Sequence, residues 1–467
     1  MSRRKDYSMI SLFSGGMGLD IGLERTKRFR LLACVEKDKA SCQTIHMNRI
    51  EGKRNPPLLV EADICSVDPL ELLDRLGLKP GELDLLVGGP PCQSFSTAGR
   101  RGTIQDPRGT LLWQFLRFIE VMRPKFFIME NVRGLLSAAI KHRAIAERPG
   151  LGGNNLAADE EPGSVIRAFA ADLQELEGVR YHMDCFEVNA VNYGAPQLRE
   201  RALFIGNRFN ESINFPDPTH GHPTKEPSAG PAGQQELFSE PSKPLIPWRT
   251  LHDALSDLDD SVPVVMDFSP RKKHFLSLVP PGANWRSLPE EAQKESMGKA
   301  WFAKGGRSGW WRRLSFDLPA PTLVTMPNHA STSLCHPFET RALSVREYAR
   351  IQEFPDSWIF SGTTSDQYRQ VGNAVPVRLG EVAGLTVAAA MDTLEASGWR
   401  PQHQAEEPYR IVYIQSHVRT RQWFKAGQTF VWEDGEQNTA QYAGPKTKRK
   451  SSVLRSKNVE GTLIAHG

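Results

Sequence analysis

The sequence has 467 residues, of which 39% are hydrophobic and 24% are charged, and its formal net charge is +4. These proportions are typical of a soluble globular protein, and the length allows two or more domains. No apolar run is long enough to span a bilayer, and residues 1–13 lack the long apolar stretch and small-residue cleavage site of a signal peptide. We therefore expect a cytoplasmic protein with no membrane partner.

The charge and the cysteines narrow the function classes further. A small positive charge permits a polyanionic partner without requiring one, because nucleic-acid binding depends on local basic patches. The cysteines form no CxxC pair and no Cys/His cluster with zinc-finger spacing, so we expect free thiols and no metal site. The cysteines are Cys34, Cys42, Cys65, Cys92, Cys185 and Cys335.

The first 206 residues read as strands that alternate with helices. The strands are predicted at 7–13, 31–36, 83–89, 126–130 and 201–206. Apolar residues at helical spacing predict a helix over 111–122. This order indicates an α/β fold with a doubly wound, mainly parallel, Rossmann-like sheet covered on both faces. Ligands of such sheets bind beyond the carboxyl ends of the strands, which makes the polar residues there the candidates for a site.

The composition changes after residue 207. The chain becomes rich in Pro, Gly and Ser and is expected to be loop-like. A capping box formed by Ser344 and Glu347 predicts a helix that starts there. Beyond residue 400, two stretches resemble strands (409–415 and 428–432), and a basic cluster follows at 446–450.

A glycine loop and two acidic residues suggest a nucleoside ligand. Gly15, Gly16 and Gly18 follow the first strand and allow close approach of a ligand to the backbone. Glu36 ends the second strand at about the spacing that places a carboxylate on a ribose. A tight structural turn remains the alternative for the loop, and a solvated acid the alternative for Asp63, which could otherwise accept from an adenine amino group.

The loop alone does not identify the ligand. NAD and S-adenosylmethionine both contain adenosine, and either could bind such a loop. A phosphate-gripping P-loop is disfavoured because the chain contains no GxxxxGK[ST] sequence.

Cys92 stands at the end of a rigid segment, "GGPPC". Proline fixes its own φ and restricts the residue before it, so the segment leaves the strand in an extended conformation. A nucleophile requires such a rigid backbone position, because attack geometry tolerates little displacement. A buried thiol in a proline turn is the alternative.

Taken together, the ordered motifs resemble those of the DNA (cytosine-5) methyltransferases, in particular the bacterial restriction-modification type. "DLLVGGPPCQSFSTAG" is similar to the catalytic Pro-Cys-Gln motif of that family, and the other matches follow in the family's order over about residues 8–390. They are "LFSGGMGLDIGLE" (12–24), "MENV" (129–132), "QLRERALFIG" (197–206), "RRLSFDLPAPTLVT" (312–325), "RALSVREYARIQEFPD" (341–356) and "YRQVGNAVP" (368–376).

One position departs from the family pattern. The loop usually reads Phe-x-Gly-x-Gly-Gly, and Met17 occupies the penultimate glycine position. We expect Met17 to take an ordinary negative φ, so the loop would differ slightly in shape.

The resemblance implies S-adenosylmethionine as the cofactor. Glu36 would hold the ribose, and Asp63 and Ile64 would contact the adenine. The residues implied in cofactor binding are Phe13, Gly15, Gly16, Gly18, Glu36, Asp63, Ile64, Pro91, Leu111, Asn373 and Val375.

The resemblance also implies four catalytic residues. Cys92, as the thiolate, would add to C6 of cytosine and make C5 nucleophilic. Glu130 would protonate or hydrogen bond N3, and Arg199 and Arg201 would meet the base, with Arg201 near O2. We assign no residue to removal of the C5 proton.

Four segments follow from the resemblance: a catalytic and cofactor-binding domain (1–206), a smaller, irregular target-recognition domain (207–335), a return to the catalytic domain (336–395) and a C-terminal extension (396–467). The extension would add phosphate contacts or form a solvated appendage. The target base would be flipped out of double-stranded DNA.

Three functions remain open at this point. They are a DNA methyltransferase, a tRNA cytosine-5 methyltransferase of the same fold, and a catalytically inactive DNA-binding homologue. For the first we expect a monomer, with a cognate restriction endonuclease as a possible partner that shares the DNA site.

Overall fold

The computed structural model describes residues 6–91, 110–144, 147–221, 244–302, 309–414 and 441–443. Cys92, the basic cluster at 446–450 and the strand-like stretch at 428–432 lie outside the described residues.

The described residues form a nine-stranded sheet and a separate two-stranded pair. The strands are β1 Tyr7–Leu12, β2 Phe29–Glu36, β3 Leu58–Glu61, β4 Leu85–Gly88, β5 Phe126–Val132, β6 His182–Asn189, β7 Glu200–Asn207, β8 His220–Gly221, β9 Ile246–Pro247, β10 Tyr409–Tyr413 and β11 Gln441–Ala443. The order in the large sheet is β11-β10-β6-β7-β5-β4-β1-β2-β3. Strands β3, β2, β1, β4 and β5 are parallel neighbours, and β7 runs antiparallel to both β5 and β6. The predicted mainly parallel α/β sheet is confirmed.

Eleven α-helices lie in the described part of the chain. They are α1 Gly18–Arg25, α2 Lys39–Ile45, α3 Pro69–Arg75, α4 Leu111–Met122, α5 Ser164–Gln174, α6 Leu251–Leu255, α7 Pro270–Ser277, α8 Glu290–Met297, α9 Val345–Ile351, α10 Thr364–Asn373 and α11 Val377–Ala396. Helix α4 has the predicted bounds. Helix α9 begins after Ser344, whose side chain accepts from the Glu347 N–H while the Glu347 carboxylate accepts from the Ser344 N–H, as predicted.

Side chains of the central strands pack into two cores on opposite faces of the sheet. On β1, Tyr7 and Met9 belong to the core that includes α1 and α11, whereas Ile10 and Leu12 belong to the core that includes α3, α4 and α5. This alternation is what a strand buried on both faces produces. The sheet is thereby covered on both faces, and the site is confined to its edge.

Helices α1 and α11 approach each other through glycines. A Cβ on Gly22 would lie 2.2 Å from the carbonyl oxygen of Val377, and one on Gly380 would lie 2.7 Å from that of Leu19. This close packing holds α11, in the C-terminal part of the chain, against α1 and so beside the first strand, β1. Contrary to the expectation from sequence, the stretch Thr364–Ala396 has the length and apolar composition of a membrane span, but 61% of its most apolar window is buried in the protein, as in a core helix.

The C-terminal extension takes part in the main fold. Strand β10 pairs parallel with β6, and Arg410 on β10 ion-pairs with Asp184 on β6, a carboxylate with no exposed surface. The Glu211 carboxylate accepts from the backbone N–H groups of Gln402 and His403. The segment from residue 402 to 413 is therefore a structural part of the sheet edge.

A third, smaller core lies in the region between β9 and α9. It contains residues between Phe268 and Ala342, including Phe275, Trp285 and Trp311. Residues Leu251, Ala254 and Leu255 of α6 belong instead to the large core around α1 and α11. The region expected to recognise DNA thus contains a compact part of its own, and its proposed limits at 207 and 335 stay a prediction.

Candidate active site

A cavity of about 930 Å³ opens at the carboxyl ends of β1, β2, β4 and β5. Its walls bring together most of the residues expected in the site. The predicted residues that line it are Phe13, Glu36, Asp63, Ile64, Pro91, Leu111, Glu130, Arg199, Arg201, Asn373 and Val375. Residues more than 300 positions apart in the chain thus face one space, at the edge where α/β sheets bind ligands.

The three loop glycines do not appear among the residues that line the cavity. The N–H of Gly15 donates to Oε2 of Glu36 at 2.8 Å, which joins the loop to the end of β2. A Cβ on Gly16 would lie 3.1 Å from the carbonyl oxygen of Gln370, and one on Gly18 would lie 2.1 Å from that of Val375. Close packing against the C-terminal motif therefore requires glycine at position 18 and leaves little room for a side chain at Gly16.

We expect Gly18→Ala to lower the free energy of unfolding by about 2 kcal/mol or more, because overpacking against backbone forces the two segments apart. Since Val375 lines the cavity, the same shift should weaken ligand binding there. Urea denaturation measures the first effect. Gly150→Ala is the matched control, because a Cβ on Gly150 meets no atom within 4 Å; equal stability of the two variants would contradict this packing argument.

The expectation for Met17 was wrong. Met17 has φ 67° and ψ 22°, in the left-handed region, and its side chain is fully buried. The loop thus adopts a left-handed conformation at this position without a glycine. The strain of a left-handed non-glycine residue, about 1–2 kcal/mol, is offset because the side chain packs in the core beside α1.

Met17→Gly should therefore destabilise the protein although it relieves backbone strain. Loss of a buried Met side chain costs about 2–5 kcal/mol, which exceeds the strain relieved, so we expect a net loss of about 2 kcal/mol. Denaturant unfolding of the two proteins tests this. A variant as stable as the parent would show that strain outweighs packing at this position.

Glu36 is fixed by three backbone donors. Its Oε2 accepts from Gly15, and its Oε1 accepts from the N–H groups of Lys37 and Asp38, each at 2.8 Å. A carboxylate has about four acceptor positions. With three of these positions used, about one remains free for a ligand hydroxyl.

Asp63 lies at the rim of the cavity beyond β3. Its carboxylate accepts from the Cys65 N–H and from Nζ of Lys37, at 3.0 and 3.1 Å. The Cys65 N–H and then Lys37 hold the pKa of this carboxyl below its usual range. Arg117 on α4 donates to the carbonyl oxygen of Ile64 at 2.7 Å and thereby positions the turn.

Glu130 and Arg201 form an ion pair inside the cavity. Nε of Arg201 lies 2.6 Å from Oε1 of Glu130, and both side chains are 11% exposed. The two residues are on neighbouring antiparallel strands, β5 and β7. On the other side, a Cβ on Gly89 would lie 3.2 Å from Oε2 of Glu130, so the absence of a side chain keeps this face of the carboxyl open.

Arg199 lines the cavity and donates to two backbone carbonyl groups, while its Nε has no hydrogen-bond partner among the described residues. Its guanidinium donates to the carbonyl oxygens of Leu323 and Gly372 at 3.1 and 2.7 Å. Gln197 accepts from the Leu323 N–H and donates to Gln352. These contacts join three motifs that are distant in sequence. The sequence reasoning did not anticipate this positioning role.

Asn131 is a functional residue that the sequence reasoning missed. Its Nδ2 donates to the carbonyl oxygen of Pro90 at 2.9 Å, and the side chain is buried. The segment that leads to Cys92 is thereby attached to β5 next to Glu130. The "MENV" match contains Asn131, but sequence alone assigns it no partner.

The basic and aromatic residues between β9 and α9 have mixed surroundings. Trp285 and Trp311 are buried in the small core, and Lys273 ion-pairs with Asp267. Lys304 and Arg307 lie outside the described residues. In the described part of the chain, no group of three or more His, Cys, Asp or Glu side chains is arranged to hold a metal ion.

The strand order and the cavity at the carboxyl ends of the parallel strands define the class of protein by fold, a Rossmann-like α/β protein. A solved structure of an Escherichia coli prophage-encoded protein, described as a DNA modification methyltransferase, aligns with a TM-score of 0.51. The alignment covers 84% of this chain and all of that one at 24% identity, which establishes the fold alone.

The chain belongs to the C-5 cytosine-specific DNA methylase family, whose sequence model matches residues 7–387. It is 36% identical to the Type II methyltransferase M.Sau96I of Staphylococcus aureus over 388 residues. This alignment covers 82% of this chain and 76% of that protein. It is also 36% identical over 395 residues to the Type II methyltransferase M.Eco47II of Escherichia coli, with 83% and 80% covered. The enzyme is accordingly a DNA (cytosine-5) methyltransferase of the restriction-modification kind, as the resemblance implied.

Proposed function

We propose that the protein transfers a methyl group from S-adenosylmethionine to C5 of a cytosine that is flipped out of a specific sequence in double-stranded DNA. The observation that carries this proposal is that one cavity is lined both by the Glu130–Arg201 pair and by the acids Glu36 and Asp63 at the ends of β2 and β3. A methyl donor and a base can meet there.

The residues present fit the cofactor. Glu36 has an acceptor position left for a ribose hydroxyl, and Asp63 is an ionised carboxylate at the rim that can accept from an adenine amino group. Phe13 and Leu111 supply partly buried apolar surface for the adenosine. The cavity of about 930 Å³ is near the upper end of the range of small-molecule sites, about 300–1,000 Å³, as a space for cofactor and base requires. When bound, S-adenosylmethionine supplies an electrophilic methyl group.

Cys92 is the proposed nucleophile. It lies outside the described residues but directly follows Pro91, which lines the cavity. Its thiolate adds to C6, which breaks the C5–C6 double bond and makes C5 nucleophilic. After C5 is methylated, a base, which can be water, takes the C5 proton, and the C6–sulfur bond breaks to restore the ring.

Glu130 and Arg201 stabilise the charge that this addition creates. When the thiolate adds to C6, negative charge develops across N3 and O2 of the ring. Glu130 donates a proton or a hydrogen bond at N3, and Arg201, held 2.6 Å from Glu130, faces O2. Groups that are preorganised in a site from which water is excluded stabilise such charge without reorganisation.

We propose that the target cytosine is flipped out of the duplex. C5 and C6 are inaccessible to the cavity while the cytosine is stacked in a duplex, so the nucleotide must turn outward. We propose that the region 207–335 reads the neighbouring bases, that the enzyme acts as a monomer in the cytoplasm, and that a restriction endonuclease shares its DNA site.

Transfer of radiolabelled methyl groups tests the proposal. Purified protein is incubated with labelled S-adenosylmethionine and either duplex DNA or tRNA. We expect label on duplex DNA alone. Label on tRNA alone would identify a tRNA methyltransferase, and no transfer to either, with DNA binding retained, would identify an inactive homologue.

A further inference from the structure

Asp20, on the first turn of α1, is a buried acid with no role in the site described above. It is 2% exposed and lines the same cavity as Glu36 and Glu130. Ser11, on β1, hydrogen bonds to its side chain. No described residue hydrogen bonds to its Oδ1 atom.

Five carboxylates line the cavity, and the other four have partners. Glu36 accepts from backbone N–H groups, Asp38 from Ser41 and Arg369, Asp63 from Lys37, and Glu130 from Arg201. Each of those acids has a protein donor, and none of them has an oxygen that is both buried and without a hydrogen-bond partner. Only Asp20 therefore presents an unpartnered buried oxygen among the acids of the described cavity wall.

A buried carboxylate without a counter-ion is costly. Burial raises the pKa of Asp20 to about 6, while the Ser11 hydrogen bond and the charge of Arg49 lower it. Asp20 is therefore mainly ionised at neutral pH although it is enclosed. Arg49 is itself ion-paired with Glu24. A cation supplied by a ligand would complete the arrangement.

The position of Asp20 indicates which part of the proposed cofactor supplies that cation. The adenosine is placed by Glu36 and Asp63 at the ends of β2 and β3, and the transferred methyl group must face Glu130 on β5. Asp20 hydrogen bonds to Ser11 on β1, and β1 lies between β2 and β4 in the sheet, which leaves Asp20 for the amino-acid end. That end carries an ammonium group, whereas the adenine and ribose are neutral.

We infer that Asp20 binds the α-ammonium group of the methionyl end of S-adenosylmethionine, an inference that rests on the proposed function. A hydrogen bond between charged groups is worth about 1.5–3 kcal/mol. Its loss corresponds to a weakening of cofactor binding by about ten-fold or more.

Calorimetric titration of Asp20→Asn with three ligands tests this. S-Adenosylmethionine and S-adenosylhomocysteine both carry the ammonium group, whereas 5′-methylthioadenosine lacks the amino-acid end. We expect the variant to bind the first two about ten-fold or more weakly, by equal factors, and to bind the third as the parent does. Asp74→Asn, an exposed acid on α3, is the matched control and should bind all three unchanged.

Other outcomes would overturn the inference. A loss confined to S-adenosylmethionine would place Asp20 at the sulfonium, and an equal loss for all three ligands would mark a structural role. If Asp20→Asn does not fold, the same three titrations are made with Asp20→Ser. A parent protein that binds none of the three would refute the proposed cofactor as well, whereas parent binding with no loss in the variant refutes the role of Asp20 alone.

Discussion

Glu130→Gln is expected to lower kcat for DNA methylation by about 10²- to 10⁴-fold, the usual contribution of a positioned acid. Glutamine cannot protonate N3, yet its oxygen can still accept from Nε of Arg201, which lies 2.6 Å from Oε1 of Glu130. The fold and cofactor binding should therefore persist. Single-turnover methylation of duplex DNA measures the rate, and calorimetry with S-adenosylhomocysteine measures the binding.

The control for this prediction is Glu120→Gln, the same change at an exposed position on α4. We expect it to methylate DNA at the parent rate. A Glu130→Gln protein within three-fold of the parent would contradict the proposed role of Glu130. Loss of cofactor binding together with activity would show that Glu130 instead maintains the cavity.

Arg410→Ala is expected to lower the free energy of unfolding by about 3 kcal/mol, because it leaves a buried charge without its counter-ion. Asp184 would retain the Ile213 N–H at 2.6 Å and the His182 ring at 3.1 Å, neither of which replaces the guanidinium. Denaturant unfolding monitored by circular dichroism measures the change. Since four strands separate β10 from β1 in the sheet, cofactor affinity should change little.

Arg400→Ala is the matched control, because Arg400 is an exposed arginine in the same C-terminal segment. We expect its stability to match that of the parent. If Arg410→Ala were equally stable, the C-terminal extension would be the solvated appendage that the sequence also allowed.

The fold was predictable where one pattern determined one element. Helix α4 buries Leu112, Phe115, Ile119 and Met122 at helical spacing, and its bounds were found without error. Strand β6 was missed because it reads "HMDCFEVN", with polar residues that are buried on both faces. Its Asp184 is satisfied by Arg410, which lies 226 positions away, and no local pattern reports such a partner.

The site was predictable through motifs but not through contacts. The resemblance selected Glu130, Arg201 and Glu36, and the fold places all three on one cavity. It did not reveal that the Val375 carbonyl oxygen leaves no space for a side chain at Gly18, or that Met17 adopts a left-handed conformation. Both depend on packing between α1 and the C-terminal motif, which sequence order conceals.

The most direct test of the central claim is bisulfite sequencing of genomic DNA from cells that express the protein or its Cys92→Ser variant. Bisulfite converts unmethylated cytosine and leaves 5-methylcytosine unchanged. We predict one short sequence in which a cytosine is protected by the parent protein and converted in cells with the variant. Equal protection by the variant, or no protected cytosine with a folded and expressed parent protein, would contradict the account.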